Sequence, residues 1–232
     1  MEIQKLAIKR LAGIMLLLVL GISGGPTQSL GQGTDSSLNQ VMIETNLGEI
    51  VLVLDPEKAP VTVENFLSYV DQQGYDGTIF HRVIPGFMIQ AGGHFEDLSE
   101  SPSRPPIKNE ADNGLSNRIG TIAMARLSDI DSASNQFFIN TANNARLDHG
   151  PKSCSREEEA KIAALRARGL MKPKRCKSFG YAVFGEVIRG LEVVRRIESL
   201  ETGMRNGFSD VPLEAVKIIT IRRVAHEKVF NP

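Results

Sequence analysis

Short apolar runs rich in β-formers, separated by turn residues, recur along the chain from Val41 onward. Val41–Thr45 and Glu49–Leu54 are two such runs joined through Asn46-Leu47-Gly48, which predicts a hairpin. Asp55-Pro56 breaks the pattern, and Pro60 suits the first turn of a helix, where its missing N–H costs nothing. Val63, Phe66, Leu67 and Val70 then recur at i, i+3, i+4 and i+7, predicting a helix with one buried face that ends at Gly74. A second hairpin is expected through Ile79–Ile84, Pro85-Gly86 and Phe87–Gln90. Further strands are expected over Thr121–Ala125, Gln136–Asn140, Tyr181–Val187 and Ala215–Val224. Leu191, Val194 and Ile197, with Val193 and Leu200, predict a second short helix. The polar, Pro/Gly/Asn-rich stretch from Glu96 to Gly120 reads as a long surface loop. Many short strands with few helices indicate a β-barrel or sandwich, and no fixed-period repeat is present.

One segment differs. Residues 151–177 are strongly charged and helical in pattern, with Ser155 and Glu158 spaced as a capping box and Gly169 placed to end the helix. Glu157 and Lys161 have i, i+4 ion-pair spacing. Cys154 and Cys176, the chain's two cysteines, bracket it. In an exported protein the economical reading is a disulfide that closes the excursion, a chain-entropy gain of roughly 3 kcal/mol. Zinc is the rival reading, but a structural site needs four ligands and His149 is the one nearby histidine.

The N-terminus supplies the compartment. Lys5, Lys9 and Arg10 precede an apolar run from Leu11 to Ile22, the pattern of a secretory signal. The run falls short of the ~20 apolar residues that span a bilayer. Cleavage is expected near Gly31, giving a signal peptide over 1–31, a flexible lead over 32–40, one folded domain over 41–224 with its insert at 151–177, and a tail over 225–232. The full chain balances 27 basic against 27 acidic side chains; removal of 1–31 takes Lys5, Lys9, Arg10 and Glu2 away. The mature protein is then slightly acidic, which argues against a general nucleic-acid binder. No stable membrane association is expected after cleavage.

Candidate chemistry is sparse. Gly21-Ile22-Ser23-Gly24-Gly25 has the spacing of a nucleophile elbow but sits in the signal segment, away from any strand–helix junction. The four histidines form no H-x-x-x-H pair, and no phosphate-binding glycine loop is present. Asp129-Ile130-Asp131 starts like a calcium loop and fails at Ala133 and Ser134. What remains is Phe80-His81-Arg82-Val83-Ile84-Pro85-Gly86-Phe87-Met88-Ile89-Gln90. In a strand Arg82 shares a face with Phe80 and Ile84, and a bulge would set it opposite Ile89 or beside Gln90. A functional arginine and a snorkelling edge-strand arginine both fit these residues.

That segment resembles the signature of the cyclophilins. Further stretches agree in order: Ala59–Phe66, Gly120–Ala125, Asn135–Asn140, Leu147-Asp148 and Val183–Gly185. The resemblance covers about Val41–Val224, interrupted by the insert, and Lys108–Leu115 resembles the bacterial secreted branch. It implies a closed eight-stranded antiparallel barrel capped by two helices, here with an extra helical insert. It also implies peptidyl-prolyl cis–trans isomerase activity on proline-containing segments of unfolded or flexible proteins, by a periplasmic monomer that assists folding without metal or cofactor. On this resemblance Arg82 and Gln90 are catalytic. Phe87, Met88, Phe138 and Leu147 line the proline pocket, with Arg146 and Tyr181 on its rim, and Gln136 with the backbone around Ala125 and Arg126 holds the peptide extended. Taken singly, Phe87, Met88, Phe138 and Leu147 fit barrel core equally well.

Two positions depart from the best-known eukaryotic pattern. Arg146 stands where those proteins carry tryptophan, and Tyr181 where they carry histidine. The tyrosine ring can still face proline, so catalysis is expected to survive. The arginine removes a large apolar contact, so weak cyclosporin binding is expected. A cyclophilin fold used purely as a binding module is the competing reading, and a lipocalin-like ligand barrel is a third. The Arg82–Gln90 pair favours the enzyme.

Overall fold

The computed structural model describes residues 39–170 and 177–224. The expected signal peptide, the lead up to residue 38, Cys176 and the tail lie outside the described residues. Eight strands form one antiparallel sheet: β1 (Gln40–Thr45), β2 (Gly48–Leu54), β3 (Phe80–Ile84), β4 (Met88–Ala91), β5 (Thr121–Met124), β6 (Phe137–Asn140), β7 (Val183–Arg189) and β10 (Ile218–Arg223). Their order is β10-β1-β2-β7-β5-β6-β4-β3. The expected closure is not shown: β10 and β3 are the end strands of the sheet and no continuous ladder joins them, although their neighbouring segments touch. An isolated bridge joins Ile79 to Lys217, while Phe80 N donates to Val216 O and Ile218 N to Thr78 O. Strand β1 begins at Gln40, opposite Val53, so the end of the expected lead is already sheet.

The two expected helices are present. Helix α1 (Pro60–Asp71) has proline in its first turn and no side-chain cap of its own. The Glu110 carboxylate caps it from the long loop, accepting from Val61 N at 3.1 Å, Thr62 N at 2.8 Å and Thr62 Oγ1 at 2.7 Å. Helix α3 (Leu191–Glu198) buries Val193, Val194 and Ile197. Both pack into one core with Ile43, Leu52, Phe66, Ile89, Phe137 and Phe184.

The 96–120 segment is not a free surface loop. Leu98, Asn109, Ala111 and Asn117 are buried. The Asn109 and Asn113 amides donate to Gly180 O and Val183 O. These satisfied amides, that of Asn109 buried and that of Asn113 half-buried, hold irregular backbone against the sheet.

In the insert, α2 (Arg156–Ala167) has the full capping box at Ser155 and Glu158. It ends in a Schellman motif, with Leu170 N donating to Leu165 O, Gly169 N to Arg166 O, and Gly169 at φ +71°. Arg156 seats the helix: it donates to Asp131 at 2.7 Å and to Asn109 O at 2.6 Å, and lies over the Phe179 ring.

A hairpin of β8 (Thr202–Arg205) and β9 (Phe208–Pro212) was not expected from the alternation pattern. Its signal was Asn206-Gly207, both at positive φ, the pair favoured in two-residue hairpin turns. The hairpin packs on β3, with Val211 against Ile79 and Leu98.

Candidate functional site

Register sorts the two faces of the sheet. One row of paired residues runs Val83–Ile89–Ile139–Ile122–Gly185 across β3, β4, β6, β5 and β7, and its apolar members belong to the main core. The neighbouring row runs Arg82–Gln90–Phe138–Ala123–Val183 on the opposite face. A bulge between Phe80 and Arg82 sets Arg82 directly opposite Gln90, one of the two placements left open by the sequence. The turn between β3 and β4 is type II: Phe87 N donates to Ile84 O, and Gly86 has φ +69°. Glu198 at the end of α3 pins it by accepting from Gly86 N at 2.8 Å.

On this second face Met88, Ala123, Phe138 and Val183 form an apolar cluster separate from the main core. Ile84, Phe87, Ala125, Leu147 and Tyr181 are partly buried against it. Phe138 meets Tyr181 edge-on at 5.8 Å, and the Arg146 guanidinium lies 4.4 Å from the Phe87 ring centroid. Tyr181 falls before β7, not within it, because its N–H donates to Leu147 O in the 3-10 turn Ala145–Leu147.

The polar groups flank this cluster. The Arg82 side chain is 41% exposed, and its Nε lies 3.5 Å from Asp210 Oδ2. The Gln90 amide donates to Gln136 Oε1 at 2.7 Å. Both glutamines line a cleft of about 280 Å³ with Gly93, Ala125, Arg126 and Asn135. A Cβ at Gly93 would meet the Gln136 side chain, which would have to move aside. The Arg126 side chain turns the other way, donating to Gly180 O and Ser178 Oγ and stacking on Tyr181 at 4.8 Å. Beyond Arg126, an open groove of about 790 Å³ is lined by Tyr181, Asp129 and the α2 residues Glu159, Ala163 and Arg166. The insert therefore borders the site.

Behind Arg82 lies His81, which sequence reasoning passed over. It is buried, and its ring centroid is 4.5 Å from that of His94. Burial first, and the neighbouring His94 charge second, lower its pKa from 6.5 to about 3. His81 therefore adds no positive charge behind Arg82 near neutral pH. Among the described residues no cluster of three or more His, Cys, Asp or Glu could hold a metal, and no helix is long and apolar enough to cross a membrane.

The eight-stranded antiparallel sheet with its packed helices is the fold of the cyclophilin-type peptidyl-prolyl cis-trans isomerases. The family model covers residues 40–223, and the chain belongs to this family. Its relatives include peptidyl-prolyl cis-trans isomerase A of Dickeya dadantii, 46% identical over 178 residues, covering 77% of this chain and 80% of that protein. Peptidyl-prolyl cis-trans isomerase B of Escherichia coli is 41% identical over 181 residues, covering 78% and 97%. A Cryptosporidium parvum cyclophilin solved in the presence of the dipeptide Ala-Pro shares the fold, with TM-score 0.57 and 22% identity, covering 81% of this chain and 99% of that one. The protein is a peptidyl-prolyl cis–trans isomerase.

Proposed function

We propose that this isomerase acts on exported proteins and lowers the X-Pro rotation barrier by electrostatic stabilisation of the twisted imide. An X-Pro bond isomerises in tens to hundreds of seconds unaided, slowly enough to limit folding. The barrier of ~18–20 kcal/mol reflects amide resonance, and each ~1.4 kcal/mol removed is worth tenfold in rate. As the bond twists, the proline nitrogen regains a lone pair. Arg82 donates to that nitrogen from a terminal guanidinium nitrogen, while its Nε faces Asp210. The proline ring enters the cluster of Met88, Phe138, Phe87 and Leu147, with the Tyr181 ring alongside and Arg146 at the rim. Gln90 and Gln136, fixed to each other, orient the substrate backbone as it runs past Ala125 and Arg126. The observation that carries this reading is the row Arg82–Gln90–Phe138, which places a cation, an amide and an apolar wall side by side on the face opposite the core. A pure binding module has no need of the arginine.

The test is protease-coupled isomerisation of a proline-containing peptide by wild type and Arg82→Ala. A large loss in the variant is expected; equal rates would end the catalytic assignment. Export rests on the basic and apolar pattern of residues 5–22, and periplasmic fractionation checks it. A Cys154–Cys176 disulfide fits a protein in that compartment. It is supported by the burial of Cys154 and by its N–H donating at 2.7 Å to Lys177 O, the residue that follows Cys176. Reactive thiols in the exported protein would exclude it. The insert shapes substrate access along the groove beside Arg126, and deleting Ser153–Lys177 without effect on peptide or protein substrates would refute that role.

A further inference from the structure

We propose that Asp210 is a positioning residue for the isomerase reaction, holding the Arg82 guanidinium in the orientation that meets the twisting imide. This rests on the reading of Arg82 given above. Among the described residues Asp210 is the one carboxylate within ion-pair distance of Arg82, and no hydrogen bond to protein holds the guanidinium. A long side chain that is 41% exposed samples many rotamers, and that freedom must be lost in the transition state. The contact is made through Nε, at 3.5 Å, which is ion-pair rather than ideal hydrogen-bond distance. It restrains the plane of the fork and leaves the terminal nitrogens for the substrate.

The backbone is built to make this contact. Between the pairs Gly203–Val211 and Arg205–Phe208, β9 carries Ser209 and Asp210 where β8 has Met204 alone. Asp210 lies in this bulge with φ +60°, a left-handed conformation that disfavours L side chains. Bulges re-aim side chains, and backbone strain of this kind persists where surrounding structure enforces it. The surroundings are contacts flanking β3: Val211 against Ile79 and Leu98, and Phe208 on the His94 ring, which in turn meets His81. A residue serving stability alone would be better as glycine at this φ.

The experiment uses the full protein with Asp210→Asn and Asp210→Gly. Asparagine keeps the tolerance for left-handed backbone and removes the charge; glycine relieves the strain. Both are expected to lose roughly tenfold in kcat with KM little changed. The unfolding midpoint of Asp210→Gly should stay at or above that of wild type. In an Arg82→Lys background, which lacks the Nε donor, adding Asp210→Asn should cost less than about twofold. The proposal is overturned if either single variant keeps wild-type kcat, if Asp210→Asn costs as much in the Arg82→Lys background as alone, or if Asp210→Gly melts well below wild type. Arg82→Lys at the wild-type rate would instead strike the catalytic assignment of Arg82, and this proposal with it.

Discussion

Mild acid should destabilise this protein through one side chain. His81 is buried on β3, its Nδ1 has no hydrogen-bond partner, and its pKa falls from 6.5 to about 3. Its folded form is therefore neutral where the unfolded chain has begun to bind a proton. A folded pKa below the unfolded one means the contribution is full above pH 6.5 and is lost as pH falls toward about 3. The slope cannot exceed about 1.4 kcal/mol per pH unit for one group, so moving from about pH 6.5 to about pH 5 removes up to about 2 kcal/mol. In a domain of this size that corresponds to about 4–8 °C in Tm. The carboxylates of Asp71 and Asp76 are lowered chiefly by their hydrogen bonds to Arg223 and Arg222, so their loss begins only below the usual value of 3.8. Urea unfolding between about pH 7.5 and about pH 5, on wild type and His81→Gln, isolates the term because His94 and His149 are common to both. The variant should lose the acid slope. If both proteins lose stability equally over this window, another group is responsible and the assignment fails.

Gly93→Ala should force the Gln90–Gln136 hydrogen bond open. A loss of about fivefold in kcat/KM is expected from a bond worth about 1 kcal/mol, and unchanged kinetics would show that the glutamine pair plays no part. Ser155→Ala removes the α2 cap and should cost about 1 kcal/mol of local stability, read as faster hydrogen exchange of the α2 amides. Cyclosporin should bind weakly because a charged Arg146 stacked on Phe87 occupies the rim, and submicromolar inhibition would contradict this.

What the sequence revealed followed the kind of signal each element carries. Apolar runs and turn chemistry located β1 to β7 within a few residues, although β5 and β6 are buried on both faces and show no alternation. The β8–β9 hairpin escaped because Thr202–Arg205 buries little and has no alternation to read. Its evidence was the short Asn206-Gly207 turn. The motif residues Arg82, Gln90, Phe138 and Tyr181 were identifiable by resemblance, but their partners were not. Asp210 reaches Arg82 from a separate hairpin, and Glu110 caps α1 from a distant loop. Such contacts depend on tertiary placement and leave no local period. The loop over 96–120 was misread for the same reason: polar composition suggests solvent, whereas Asn109 and Asn113 spend their amides on buried carbonyls.

The ends of the charged insert meet. Ser153 bridges Lys177 in parallel fashion, Cys154 N donates to Lys177 O, and Lys177 N donates to Lys152 O. Seen from the sheet, the described ends of the insert leave and return at one point. Closure entropy grows only with the logarithm of loop length, about 0.6 kcal/mol per doubling, so longer or shorter contents cost the fold little. The position is thus a socket beside the groove lined by Arg126 and Tyr181. A change in the insert's contents can therefore leave the strands that bear Arg82 and Gln90 where they are.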